Sequence, residues 1–350
     1  MAVSSELSAL LQETFKDSVQ ESRISEDLRG KVIVIYGSNN LGKTKQASRF
    51  KNPIFLPVEK GMNAINGAMT LKTANWGDLQ TNKKKLSGRK FVDLLQKGEQ
   101  ITLIIDGVER IGTYCQNYLC QKYKVDDIGK ANGGFGVWKE YENLIWTWVD
   151  GIIGLGYTIV FIGHEKKDKD KDKFVINGDE RNVAPIRDNA DIVVYLQSNG
   201  VDENNKVIHS SGYLAETEDF FARTRYTYMD TYIEDFTAEN LEKIIVDGIK
   251  KQNKAEGYDS VDFTEQQGIY GKGKEEDIDD VKSELKTLVE KTYDYELDED
   301  YEDIVEKHLG DSTIRLSTVS EKQLESLICI RNDLKDLIDK YESNKNEEEN

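Results

Sequence analysis

The chain's 350 residues, 38% of them hydrophobic, exceed one small module and suffice for a sizeable core with a smaller appended domain. No apolar run nears the roughly 20 residues of a membrane-crossing helix, so no membrane partner is expected, and the odd set Cys115, Cys120 and Cys329 lacks a C-x-x-C pair or enough histidines for a zinc site. The net charge of −18 opposes a nucleic-acid partner only until it is divided: residues 275–350 hold 25 acids and 10 bases, and subtraction from 65 and 47 leaves 40 and 37, a net of −3, for residues 1–274.

Residues 1–27 mix Glu, Ser, Asp and Arg without the apolar stretch of a secretory signal, and a reducing, cytoplasmic location is the expectation. Leu7, Leu10, Leu11, Phe15 and Val19 form one helical stripe after Ser4 or Ser5 as cap, suited to docking on a neighbouring subunit or on the chain's own core. The body, residues 28–256, alternates strands and helices. Its β-branched runs at 32–36, 54–58, 101–105, 158–162 and 192–196 predict an α/β fold with a mostly parallel central sheet covered by helices.

Directly after the first strand, Gly37-Ser38-Asn39-Asn40-Leu41-Gly42-Lys43-Thr44 fills the pattern G-x-x-x-x-G-K-[ST]. The glycines let backbone N–H groups face phosphates, Lys43 reaches the β- and γ-phosphates, and Thr44 ligates Mg²⁺. The reading is an ATP site. The run 101–105 ends at Asp106, placed to hold the water shell of that Mg²⁺ at the carboxyl end of a central strand. Gly107 follows it, so the adjacent Asp-Glu pair usual in AAA+ ATPases is absent, and Glu109 lies three residues beyond the strand. The other acid at a strand end is Glu59, after 54–58.

The run from Glu165 to Lys173 alternates five lysines with acids and reads as a mobile charged segment, either solvated or touching phosphates, with Phe174 available to stack on a base. Lys124, Lys130 and the glycines from Gly129 to Gly136 make a second candidate loop. Antiparallel strands are expected at 207–214 and 219–228, the latter carrying Arg223 and Arg225 on one face. Residues 257–274 read as a linker, and 275–350 as an acidic helical tail domain with helices at 277–292, 299–309 and 320–342. That tail is a solubilising or partner-docking appendage, or a competitor for the basic loops.

With these motifs the stretch from about Lys31 to Arg225 resembles phage-encoded RecA-like ATP-binding proteins of single-strand annealing and recombination. The features carrying the resemblance are the phosphate loop, Gly134-Phe135-Gly136-Val137-Trp138 leading into a helix at 137–153, and the strand 158–162 running through Gly163 to His164. The resemblance implies a RecA-like P-loop NTPase core in which Glu59 is the general base, His164 stands where such cores sense the γ-phosphate, and the segments after Lys124 and His164 are DNA loops. It also implies that Arg223 and Arg225 are either fingers reaching a neighbour's ATP site in a ring or filament, or charges guarding an edge strand. The expected activity is Mg²⁺-dependent ATP hydrolysis on single-stranded DNA by a homo-oligomer. The alternative is an ATP-binding annealing or accessory module with negligible turnover.

Overall fold

The structure, a computed structural model, describes residues 4–15, 19, 21–59, 62–63, 65–170, 172–263 and 277–348. Its contacts divide the chain into one unit ending at Gly273 and a second beginning at Lys274.

The first unit is built on a sheet of ten described strands: β1 Val32–Gly37, β2 Pro53–Pro57, β3 Met69–Thr70, β4 Thr102–Asp106, β5 Thr158–Asp168, β6 Lys173–Ile176, β7 Ile192–Gln197, β8 Ser211–Tyr213, β9 Arg223–Thr224 and β10 Tyr232–Ile233. The order is β10-β8-β7-β1-β5-β4-β2-β3, with β6 paired to β5 and β9 to β7. β7, β1, β5, β4, β2 and β3 run parallel. Period two explains the two layers around them. Val32, Val34 and Tyr36 enter the core shared with α3 Trp76–Leu86, α5 Val108–Tyr123, α6 Trp138–Ile153 and α7 Glu180–Asn189, while Ile33 and Ile35 enter the opposite core with α2 Lys43–Ala47 and α8 Ala238–Glu256. Two further helices, α1 Ser5–Phe15 and α4 Arg89–Gln96, lie in the same unit.

Register sets the site. His164 lies beside Gly37, Ile162 beside Asp106, and Asp106 beside Pro57, so the carboxyl ends of β1, β5, β4 and β2 share one edge. β5 separates the phosphate-loop strand from the strand ending in Asp106.

Three sequence expectations change. The segment after His164 is the outer half of β5 turning into β6, because its alternating charges suit a two-sided solvated hairpin; Lys167 pairs with Asp172 at 2.6 Å and Lys173 with Glu216 at 2.7 Å. The strands expected at 207–214 and 219–228 shrink to β8 and β9, since polar Thr217, Glu218 and Asp219 form a turn instead of a ladder. Of the expected linker, residues 258–263 return to the core: Phe263 is buried against Gly30, and Asp262 pairs with Arg29 at 2.7 Å. The remainder, 264–274, lies outside the described residues.

In α1, Leu7 N donates to Ser4 Oγ at 3.3 Å, the expected cap, and no side chain of this helix is buried. The second unit contains α9 Ile278–Asp294, α10 Asp298–Leu309 and α11 Leu324–Glu348, packed on a core of their own that includes Leu285, Val305, Leu327 and Leu334. No described helix is long and apolar enough to cross a membrane.

Candidate nucleotide site

Residues 37–44 leave the edge of β1 and curl into α2. A Cβ on Gly37 would sit 2.6 Å from the Leu196 carbonyl oxygen, so no side chain fits between β1 and β7 there. Asn40 (φ 65°) and Gly42 (φ 77°) are left-handed, which Asn tolerates and Gly adopts freely; Ser38, Asn39 and Leu41 complete the turn. Lys43 is buried, and its Nζ donates to the carbonyls of Gly37 at 3.0 Å and Ser38 at 2.6 Å. Burial pushes this ammonium below its ordinary range, against the pull of Asp106 and neighbouring acids. Among the described residues no carboxylate lies at ion-pair distance from it, and such a buried cation favours an anionic guest.

Thr44 Oγ1 donates to Asp106 Oδ2 at 3.0 Å, joining the first turn of α2 to the end of β4. Asp106 is 4% exposed, and its carboxyl is pushed up to about 6, first by burial and further by Glu59, with the Thr44 hydrogen bond, Lys43 and His164 opposing. A hydroxyl beside a buried carboxylate is a hard, oxygen-only donor pair, which fits Mg²⁺ held with bound waters.

Gly107 explains the missing adjacent acid. It has φ 82°, and a Cβ there would lie 2.2 Å from Glu59 Cγ. The bare backbone lets Glu59, two residues past β2, lie against the end of β4, so the second acid comes from the neighbouring strand. Arg110 Nε stands 3.8 Å from Glu59 Oε1, a half-exposed and weak pair.

His164, beside Gly37, places Nδ1 2.6 Å from Glu109 Oε1. Its ring is held above the ordinary histidine range first by that hydrogen bond, with Glu59 helping and burial and Lys43 opposing. Glu59, Glu109 and His164 bring their polar atoms within 4.8 Å of one another, near enough to act on one water. Sequence reasoning noted Glu109 without giving it a part. The available signal was an acid on the first turn of the helix that follows Asp106-Gly107.

Arg223 and Arg225 lie elsewhere. Both Nη2 atoms donate to the Asp188 carbonyl, at 3.0 and 2.8 Å, Arg223 also reaches Ala190 O at 2.8 Å, and Arg225 stands 3.7 Å from Asp191. They close the last turn of α7 and the start of β7, the end of the sheet opposite the phosphate loop, where cations complement exposed helix carbonyls. Phe174 is not available for stacking on a base: it is half-buried and stacks 6.3 Å from Tyr195, which stacks 4.3 Å from Phe220. Phe135, in contrast, is 88% exposed at the end of a turn whose Gly133, Gly134 and Gly136 have positive φ. Beside that turn, Trp138 carries Arg181 5.1 Å above its ring.

The SPbeta prophage-derived uncharacterized protein YorG of Bacillus subtilis (strain 168) is 44% identical over 321 residues, which cover 91% of this chain and 97% of that protein. A solved prototypical ATPase from the type III secretion system of pathogenic bacteria aligns over 87% of this chain and 80% of its own, at 13% identity and a TM-score of 0.37, too distant a likeness to carry an argument. The family model described as an AAA domain matches residues 29–226, more than half the chain and the whole span that holds the phosphate loop, Asp106, Glu59 and His164. The chain therefore belongs to the AAA-domain family and has a P-loop ATPase core.

Proposed function

We propose that this chain is a Mg²⁺-dependent ATPase that acts on single-stranded DNA in phage recombination or annealing, as a homo-oligomer in the host cytoplasm. The observation that carries the hydrolytic part is the convergence of Lys43, the Thr44–Asp106 pair and Glu59 at one sheet edge, with Gly107 leaving room for Glu59. Lys43 binds the β- and γ-phosphates together with the N–H groups of residues 38–43. Thr44 and Asp106 hold Mg²⁺, which supplies neutralisation of phosphate charge when bound. Glu59 orients the attacking water and accepts its proton, and His164 donates toward the charge that develops on the transferring phosphoryl group.

The nucleic-acid part is supported by the exposed Phe135 on its glycine turn, with Lys130 on the same turn and the Trp138–Arg181 stack beside it. Aromatic rings beside cations bind unstacked bases without reading sequence. The phage setting is supported by the prophage origin stated for the 44% identical relative. The acidic second unit is assigned to a protein partner or to competition with DNA.

ATP turnover without nucleic acid and with single-stranded DNA, duplex DNA or RNA tests the whole reading. Single-stranded DNA is expected to stimulate most, and Phe135→Ala to weaken its binding by about 1–3 kcal/mol. Equal turnover with no binding in all four conditions contradicts the DNA assignment. ATP binding with DNA annealing but without turnover identifies the ATP-binding module instead.

A further inference from the structure

Glu109 has no part in the steps above, yet its largely buried carboxylate is bonded to His164 beside the phosphate loop. Oε1 meets His164 Nδ1 at 2.6 Å, and Oε2 is buried with no hydrogen-bond partner among the described residues. The backbone beneath both residues is fixed. Asn182 Nδ2 donates to Val108 O at 2.8 Å at the start of α5, and Asn177 N donates to His164 O at 2.8 Å at the base of the hairpin. A buried carboxylate oxygen left unpartnered costs stability and marks a group kept for something other than packing.

We propose that Glu109 is a positioning residue for hydrolysis: by accepting the Nδ1 proton of His164 it fixes the ring beside Gly37 and leaves Nε2–H as the donor for the transferring phosphoryl group. The proposal rests on the ATPase reading. A neutral imidazole released from Glu109 exchanges its single proton between two nitrogens and presents a donor or a lone pair to the phosphate side; a carboxylate on Nδ1 removes that choice. The charged groups that face the ring are Glu109 from α5, Lys43 from α2, Glu59 after β2 and Asp106 at the end of β4. Of these only Glu109 bonds it directly. Because His164 also begins the outer half of β5, fixing its ring ties the phosphate site to the hairpin through one continuous strand.

The test is the histidine NMR titration of the full chain, which has three histidines, combined with steady-state kinetics. In the wild type His164 is expected to titrate above the ordinary histidine range with Nδ1 protonated, and Glu109→Gln to lower its midpoint. At pH 8 the same variant is expected to lose about tenfold or more in kcat while KM for Mg-ATP changes by less than about threefold. Glu109→Asp is expected to recover part of the loss, and in a His164→Gln background Glu109→Gln is expected to cost nothing further. An unchanged His164 midpoint, or losses that simply add, overturns the assignment. A wild-type chain without turnover removes the ATPase reading and this role with it; a wild-type chain with turnover that Glu109→Gln leaves intact removes this role alone.

Discussion

Asp106 binds its proton more tightly in the folded chain than in the unfolded one, because burial raises its carboxyl from 3.8 to about 6. Between those values the folded state holds more protons, so stability falls as pH rises through the window, and the cost of ionisation is complete above it. It amounts to about 3 kcal/mol. Asp106→Asn is therefore expected to raise Tm at pH 8, to leave it unchanged near pH 3, and to abolish the Mg²⁺ dependence of nucleotide affinity; a lower Tm at pH 8 in thermal melts contradicts the placement. The same sign makes Mg²⁺ binding weaken as pH falls through about 6, since protons compete for one carboxylate. Much of this neighbourhood is legible in sequence. The loop 37–44 is a local backbone motif following its strand, and Asp106 ends an apolar run. Glu109 is not legible as a working residue, because its meaning depends on the register that sets His164 beside Gly37 and on a helix packed across β5. Gly107 is half legible: its presence excludes an adjacent acid, but only the packed structure reveals Glu59 filling the space a Cβ would take.

Beyond the β1–β5 ladder, one side-chain hydroxyl joins the phosphate-loop strand to β6 and to the segment before β9. Tyr36, the residue before Gly37, donates to the carbonyls of Phe174 and Phe221, and burial raises its phenol far above the ordinary range, so it stays a neutral donor. Tyr36→Phe leaves both carbonyls without this donor and is expected to cost about 1–3 kcal/mol. Hydrogen exchange is the measurement: amides of 173–176 and 220–221 are expected to exchange faster while β4 keeps its protection. Equal change across the sheet contradicts a specific link. At this scale the buried strands are legible to within a residue or two, because apolar runs of strand length have one use in such a fold. The outer half of β5 is not. Alternating lysine and acid satisfies both a solvated coil and a hairpin arm, and the contacts that choose between them, Lys173 with Glu216 and Phe174 with Tyr195, join residues 43 and 21 positions apart, which no local pattern carries.

Each unit of the chain owns a hydrophobic core, so residues 1–273 and 274–350 are expected to fold and melt separately when expressed apart; a second unit that stays unfolded alone contradicts this division. On the proposed DNA reading with the acidic unit as competitor, removing residues 274–350 is expected to tighten single-stranded DNA binding, most at low salt, because such competition is screened by ions; unchanged affinity across a salt series contradicts it. The division is legible from charge and helical periodicity, whereas the return of residues 258–263 to the first core is not, since a glycine-rich polar stretch gives no hint that Phe263 covers Gly30. In the proposed function, the edge formed by β1, β4 and β2 hydrolyses ATP with Glu59 acting on water. Its most direct measurement is single-turnover hydrolysis of bound ATP by the wild type and by Glu59→Gln in matched conditions. The variant is expected to retain ATP affinity and to lose about 10²-fold or more in rate; wild-type hydrolysis by folded Glu59→Gln contradicts a catalytic role for Glu59.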